Sequence, residues 1–269
     1  MGTGDTIMKK YGFLIACALL LAYSIAFAWV GPIMVGGGAV VSGAATPGQD
    51  FSDAFPYDNG ELSSVSSGAW VKLTGTDSSI SGGELIIQPS TVYIYDAQTS
   101  TISQYVAVEY RPSSVTSYTG VYARQVASDN ATTVAYCLRN NNGSAIAVRY
   151  CTGASCSDIA SFSVSIAEGD SLGLEVTGTG LSTKWKVWHW SSSAPPAYAS
   201  WGTCDYGVYV TGESATTCTT TNSSGNVNGD GDGSTNEVGQ DFADSGKYLG
   251  IYSGGNAQYH DNWVGGDAD

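Results

Sequence analysis

The run Trp185-Lys186-Val187-Trp188-His189-Trp190 packs three indoles, an ammonium and an imidazole into six residues. Read as a strand, its side chains alternate between two faces. With Val187 turned to a core, Trp188 and Trp190 stand on the outer face beside Lys186, while Trp185 and His189 share the face of Val187. Tyr93 and Tyr95 alternate in the same way with Val92 and Ile94, which places both tyrosines outside. Such aromatic faces stack on the apolar C–H face of a sugar ring, with nearby Asn, Asp and Arg groups orienting its hydroxyls. The same rings serve equally well as cross-strand pairs or inter-sheet core, and the sequence leaves that choice open.

A second set is Asn228, Asp230 and Asp232, followed by Gly233 and then Glu237. Oxygen ligands at alternate positions before a glycine turn resemble the first half of a calcium loop, so Ca2+ is the ion to expect there. An EF-hand needs Glu at the twelfth position, where this chain has Gly239. Asn, Asp and Gly are also what surface turns are made of. Zinc is not expected, because no Cys-x-x-Cys pair exists and His189 and His260 are far apart in sequence. Neither histidine has a motif partner, so serine or cysteine nucleophile chemistry is not expected either.

The positioning elements begin with an export signal. Met8-Lys9-Lys10 precedes an uncharged apolar run ending in Ala26-Phe27-Ala28, the small-x-small form of a signal-peptidase site, so residues 1–28 read as a cleaved signal peptide. An uncleaved anchor is the competing reading, since a run of this length can span a bilayer. Residues 29–49 form a Gly-rich apolar arm carrying Trp29, Ile33, Met34, Val40 and Val41. It is a linker, or a strand that covers itself on its own fold or on a neighbour's, with residues 29–46 as the self-association segment. Export predicts disulfides. Cys151 and Cys156 bracket a tight hairpin, Cys204 and Cys218 bracket a short strand-turn-strand, and Cys137 is left as a buried thiol.

Composition narrows the fold. The chain has 269 residues, 35 glycines, a 42% hydrophobic share and a net charge of −14. That hydrophobic share excludes a disordered chain, and the acidic balance argues against a nucleic-acid partner. After residue 50 the pattern has period two: Val134, Tyr136 and Leu138, then Phe162, Val164 and Ile166, then Leu172, Leu174 and Val176. Turn clusters separate these runs, and Asn142-Gly143 is a strong hairpin cue because both residues tolerate positive φ. No helical period follows residue 30. The expected fold is all-β: one domain built as a two-sheet antiparallel β-sandwich with jelly-roll wiring.

A family resemblance follows from several segments in order. They are Asp50-Phe51-Ser52-Asp53-Ala54-Phe55, Gly60-Glu61-Leu62, Ser81-Gly82-Gly83-Glu84-Leu85, Tyr118-Thr119-Gly120-Val121-Tyr122-Ala123-Arg124, the stretch Glu168 to Gly178, Gly250-Ile251-Tyr252, and Asp261-Asn262-Trp263-Val264-Gly265-Gly266-Asp267. Together they resemble the concanavalin A-like lectin/glucanase sandwiches of the laminin G-like type, over residues 50–269, with an insertion around 197–244. The resemblance implies a fold that carries lectins, glycosidases and inert structural modules alike. The glucanase branch sets its carboxylates as Glu-x-Asp-x-x-Glu. Here Glu168-Gly169-Asp170 is followed by Glu175 two residues too late and beyond a turn, so catalysis is not expected. The expected protein is therefore a secreted, non-catalytic β-sandwich at a cell surface, binding a glycan or cell-surface polysaccharide through Trp188, Trp190, Tyr93 and Tyr95. The alternative is a self-assembling subunit of a fibre, sheath or virion, and glycoside hydrolysis is a minor third.

Overall fold

A computed structural model describes residues 50–111, 118–126, 134–152, 155–179, 183–201, 208–211, 218–219 and 246–268. For residues 134–136, 141, 152, 208–211 and 218–219 it describes the backbone alone. The signal segment, the apolar arm, Cys204, the loop holding Asn228, Asp230, Asp232 and Glu237, and much of the insertion lie outside these residues, as does the Cys218 side chain.

The strands are β1 (Asp50–Asp53), β2 (Gly60–Glu61), β3 (Trp70–Thr74), β4 (Ser79–Ser81), β5 (Glu84–Ile87), β6 (Thr91–Tyr95), β7 (Gln104–Tyr110), β8 (Tyr118–Gln125) and β9 (Val134–Asn141). There follow β10 (Ala145–Thr152), β11 (Ser155–Ser163), β12 (Ser171–Thr177), β13 (Lys184–Trp190), β14 (Val208–Thr211), β15 (Cys218–Thr219), β16 (Tyr248–Ser253) and β17 (Gln258–Asp267). One helical turn, α1 (Leu62–Val65), and a 3-10 turn at Tyr198–Ser200 complete the described elements. Ten strands form one sheet in the order β15-β14-β13-β12-β7-β17-β5-β4-β2, with β1 also pairing β17; seven form the other in the order β11-β10-β9-β8-β16-β6-β3. Pairing is antiparallel except between β13 and β14, which run parallel. This is the expected two-sheet sandwich, its chain changing sheet at β2–β3, β3–β4, β5–β6, β6–β7, β7–β8, β11–β12, β15–β16 and β16–β17.

Period two explains the layers. Val106, Val108 and Tyr110 of β7, Leu172, Leu174 and Val176 of β12, and Trp185 and Val187 of β13 point inward and meet Val121, Leu138, Val148, Phe162 and Ile251 of the other sheet. Each such side chain contributes about 1.5–3 kcal/mol by leaving water. One end of the core is aromatic: Trp70 meets Trp263 edge to face at 5.0 Å and Tyr95 at 5.3 Å. Asp53 reaches into this cluster, accepting from Trp70 Nε1 at 2.7 Å, Phe55 N at 2.7 Å and Tyr57 Oη at 2.5 Å. Those three donors satisfy a buried carboxylate that would otherwise be costly. Asn142 and Gly143 turn between β9 and β10 with φ of 56° and 71°, as their residue types require.

The outward placement of Tyr93 and Tyr95 is overturned. Both point into the core, at 0% and 5% exposure. Strand β6 is buried along its whole length. Val92 joins a satellite apolar cluster on the outer face, so the aliphatic residues do not mark the inside. Tyr93 can be inside because its hydroxyl accepts the Ser78 backbone N–H at 3.0 Å. Cys151 and Cys156 are bridged across β10 and β11, and Cys137 is buried as a free thiol whose pKa burial pushes up to about 12.

Candidate functional site

The outer face of the ten-stranded sheet holds most of the chemistry. Trp188 and Trp190 stand on it, opposite Val187, as the alternation requires. They are not open to solvent, however, at 1% and 4% exposure. The segment after β13 folds back over them. Its 3-10 turn sets Tyr198 flat on Tyr105 at 4.1 Å and brings Trp201 edge-on to Trp190 at 4.9 Å. Trp201 Nε1 donates to Pro196 O at 3.0 Å, which fixes the ring. Beneath it, a Cβ on Gly173 would lie 2.7 Å from Trp201 Cη2 and 2.9 Å from Trp190 Cη2, so the position needs a residue without a side chain. The two indoles are thus the floor of an aromatic cluster, and as placed they offer no face to a sugar. Tyr93 and Tyr95 lie in the core between the sheets and are not brought together with them.

Two strands away the same face turns polar. Cross-strand register aligns Trp190 with Ser171, Ser171 with Glu109, and Glu109 with Asp261. The span from Trp190 to Glu109 is therefore two strand spacings, about 9.6 Å. Around Glu109 four further groups converge. Arg111 lies 2.8 Å from Asp261 Oδ2 through Nη2 and 3.3 Å from Glu109 Oε1 through Nη1. Its Nε is 3.9 Å from Glu84 Oε1. Asn262 Nδ2 donates to Glu109 Oε2 at 2.6 Å. A bulge between Asp261 and Val264, with Asn262 at φ 45°, turns the Asn262 amide toward Glu109 while Trp263 stays in the core. The hydrogen bond from Arg111 to Asp261 raises the guanidinium pKa, and the Glu109 and Glu84 charges add to it. Arg111 and Glu84 are about one-third exposed, whereas Glu109 and Asp261 are largely covered. Half-buried Tyr259 stands one pair along β17, and its carbonyl accepts the Arg111 backbone N–H at 3.0 Å. Acceptor-rich carboxylates interleaved with an amide and a guanidinium match the alternating donors and acceptors of a polyol.

As a group these residues were not foreseen in the sequence, because they come from β5, from β7 and its end, and from β17, far apart in the chain; Asp261 alone stood out there, with Asp267, as a candidate ion cap. The one local signal was the polar doublet Asp261-Asn262 interrupting an alternating strand before Trp263. Among the described residues no cluster of three His, Cys, Asp or Glu is arranged to hold a metal ion.

The other candidates have structural partners. Asp170 accepts from Ala167 N at 2.9 Å and Ser192 N at 2.8 Å, and lies 3.0 Å from His189 Nε2. Glu175 pairs with Lys186 at 3.2 Å on the same outer face as Trp188 and Trp190, and Glu168 sits exposed in the turn. No Gly-x-Ser-x-Gly elbow is expected, yet Gly169-Asp170-Ser171-Leu172-Gly173 has that spacing. Its context excludes that role: Ser171 opens a strand instead of a helix and donates to Ser193 O at 2.6 Å. His189 is paired with Leu172 in register, on the face opposite Ser171.

No family model matches the chain, and no curated protein does. Among solved structures it is similar to the carbohydrate-binding module CBM66 from Bacillus subtilis, at 10% identity and a TM-score of 0.38, covering 74% of this chain and 92% of that one. It is also similar to a xylan β-1,4-xylosidase from Bacillus halodurans C-125, at 9% identity and a TM-score of 0.35, covering 69% of this chain and 33% of that one. Likenesses this slight carry neither substrate nor activity to this chain.

Proposed function

We propose that this protein is a secreted, non-catalytic saccharide-binding module that docks on a cell-surface polysaccharide through the outer face of its ten-stranded sheet. The observation that carries the reading is the convergence of Glu109, Arg111, Asp261, Asn262 and Glu84 at one partly exposed place on that face. Sugar hydroxyls donate to the carboxylates and accept from the guanidinium and amide, so a neutral polyhydroxylated ring is the fitting ligand. Glycosidic cleavage needs two carboxyl groups set across a sugar, about 5–10 Å apart. Glu109 and Asp261 both pair with the Arg111 guanidinium, and Glu109 also accepts from Asn262, a structural engagement that favours binding over cleavage. The Cys151–Cys156 bridge supports an oxidising, extracellular setting.

The test is a titration of the full chain with neutral oligosaccharides selected from a glycan array, repeated on Arg111→Ala and Asp261→Asn. A hydrogen bond to a charged group is worth about 1.5–3 kcal/mol, so each variant should lose roughly tenfold or more in affinity. Retention of no neutral glycan, or variants that bind like the parent, would remove the proposal. Release of reducing ends from a bound polysaccharide would replace it with a hydrolase.

A further inference from the structure

We propose that the outer face of the seven-stranded sheet carries a second saccharide site, selective for sugars that bear a carboxylate. Tyr118 is the starting point. Among the described residues it is the one aromatic side chain that is exposed, at 43%, while the indoles and the remaining tyrosines are buried or half-buried. Its ring lies over Arg139, with the guanidinium carbon 4.7 Å from the ring centroid. That cation occupies one face of the ring and holds it in place, which leaves the other face for an apolar surface.

Arg139 does not act alone. Its Nη2 lies 3.2 Å from Asp158, and Arg149 Nε donates to the same carboxylate at 2.6 Å. Two guanidiniums thus share one carboxylate, which leaves a local positive charge in a chain with only ten basic residues and a net charge of −14. Arg139 Nε is buried and has no hydrogen-bond partner among the described residues. Asp158 is 42% exposed, so it can yield its place to an incoming carboxylate. At physiological ionic strength charges are screened within about 8 Å, so the two arginines decide the local field against the distant acidic excess.

The scaffold fixes this constellation. Arg139 faces Gly120 of β8, which has no side chain, and Ala147 of β10, whose side chain is small, so both flanks of the guanidinium are low. The Cys151–Cys156 bridge joins β10 to β11, the two strands that carry Arg149 and Asp158, and Arg149 Nη2 donates to Cys156 O at 2.5 Å. One sugar unit would stack on the open face of Tyr118 while the carboxylate of a neighbouring unit bridges Arg139 and Arg149, in the fork geometry that guanidiniums offer carboxylates. This site goes beyond the first, sharing with it only the general class of ligand.

The test is calorimetric titration of the full chain with a galacturonate trimer and with the neutral galactose trimer, for the parent and for Tyr118→Ala, Arg139→Gln and Asp158→Asn. Circular dichroism confirms that each variant is folded. The parent should bind the acidic trimer at least tenfold tighter than the neutral one. Tyr118→Ala and Arg139→Gln should each lose about tenfold toward the acidic trimer, and Asp158→Asn, which frees both guanidiniums, should bind it several-fold tighter. A structural ion pair would show none of that gain. Equal binding of both trimers, no binding of the acidic one, or weakening in Asp158→Asn would overturn the proposal. Loss of neutral-sugar binding by Arg111→Ala with the acidic isotherm intact would support it as an independent site.

Discussion

His260 makes the fold acid-sensitive by an amount that can be worked out. It is fully buried on the inward face of β17, with Nε2 2.8 Å from Thr119 Oγ1 and its ring edge-on to Tyr110 at 5.1 Å. The Thr119 hydroxyl already donates to Tyr252 O at 2.7 Å, so it accepts from His260, and the imidazole is neutral with its proton on Nε2. Burial lowers the pKa from 6.5 to about 3. Below pH 6.5 the unfolded chain therefore binds a proton that the folded chain refuses, and stability falls with falling pH until about pH 3. Within that window each pH unit costs about 1.4 kcal/mol, or roughly 3 kcal/mol between pH 7.5 and 4.5. His260→Gln keeps an N–H for Thr119 and removes the titration. Urea unfolding followed by tryptophan fluorescence at pH 7.5 and 4.5 should show the parent losing about 3 kcal/mol more than the variant. Asp53, whose pKa burial raises, contributes stability that is present at low pH and lost as pH rises. It is common to both proteins and cancels in the difference. Equal losses in the two proteins would refute the reasoning.

Two further outcomes follow from packing. Gly173→Ala pushes a methyl into the Trp190 and Trp201 rings, so it should cost about 1–3 kcal/mol in urea unfolding and alter the near-ultraviolet dichroism of the indoles. Trp70→Phe keeps the edge-to-face core but withdraws one of three donors from buried Asp53, and should cost about 1–3 kcal/mol by the same assay.

The sandwich was legible because β12 alternates apolar residues with small or polar ones: Leu172, Leu174 and Val176 turn in against Ser171, Gly173 and Glu175, and Trp185 and Val187 of β13 turn in as read. Strand β6 defeated the rule. In Val92-Tyr93-Ile94-Tyr95 every residue is apolar or amphipathic and every one is buried, so the hydrophobic ranking of Val over Tyr says nothing about direction. The cross-sheet cluster at Arg111 was invisible for another reason. Its members become neighbours only through register among β5, β7 and β17, which no local pattern encodes. Tyr118 and Arg139 were hidden likewise, although Tyr118 stood in a segment already noted for its resemblance. The turn at Asn142-Gly143 was legible from residue type alone, since the required φ selects those two residues.

The one parallel junction among the described strands, between β13 and β14, constrains how the sheet can evolve. Parallel neighbours cannot be joined by a hairpin; the chain must travel back the length of the strand and cross a surface to do it. Here the return path begins with Ser191 to Trp201, which is the stretch that lays Tyr198 and Trp201 on the sheet. The roof over Trp188 and Trp190 is thus a by-product of connectivity, and point substitutions in the two indoles would leave it standing. Opening that floor to a guest requires rerouting the backbone, whereas the partly exposed polar ground around Arg111 can be remodelled one side chain at a time.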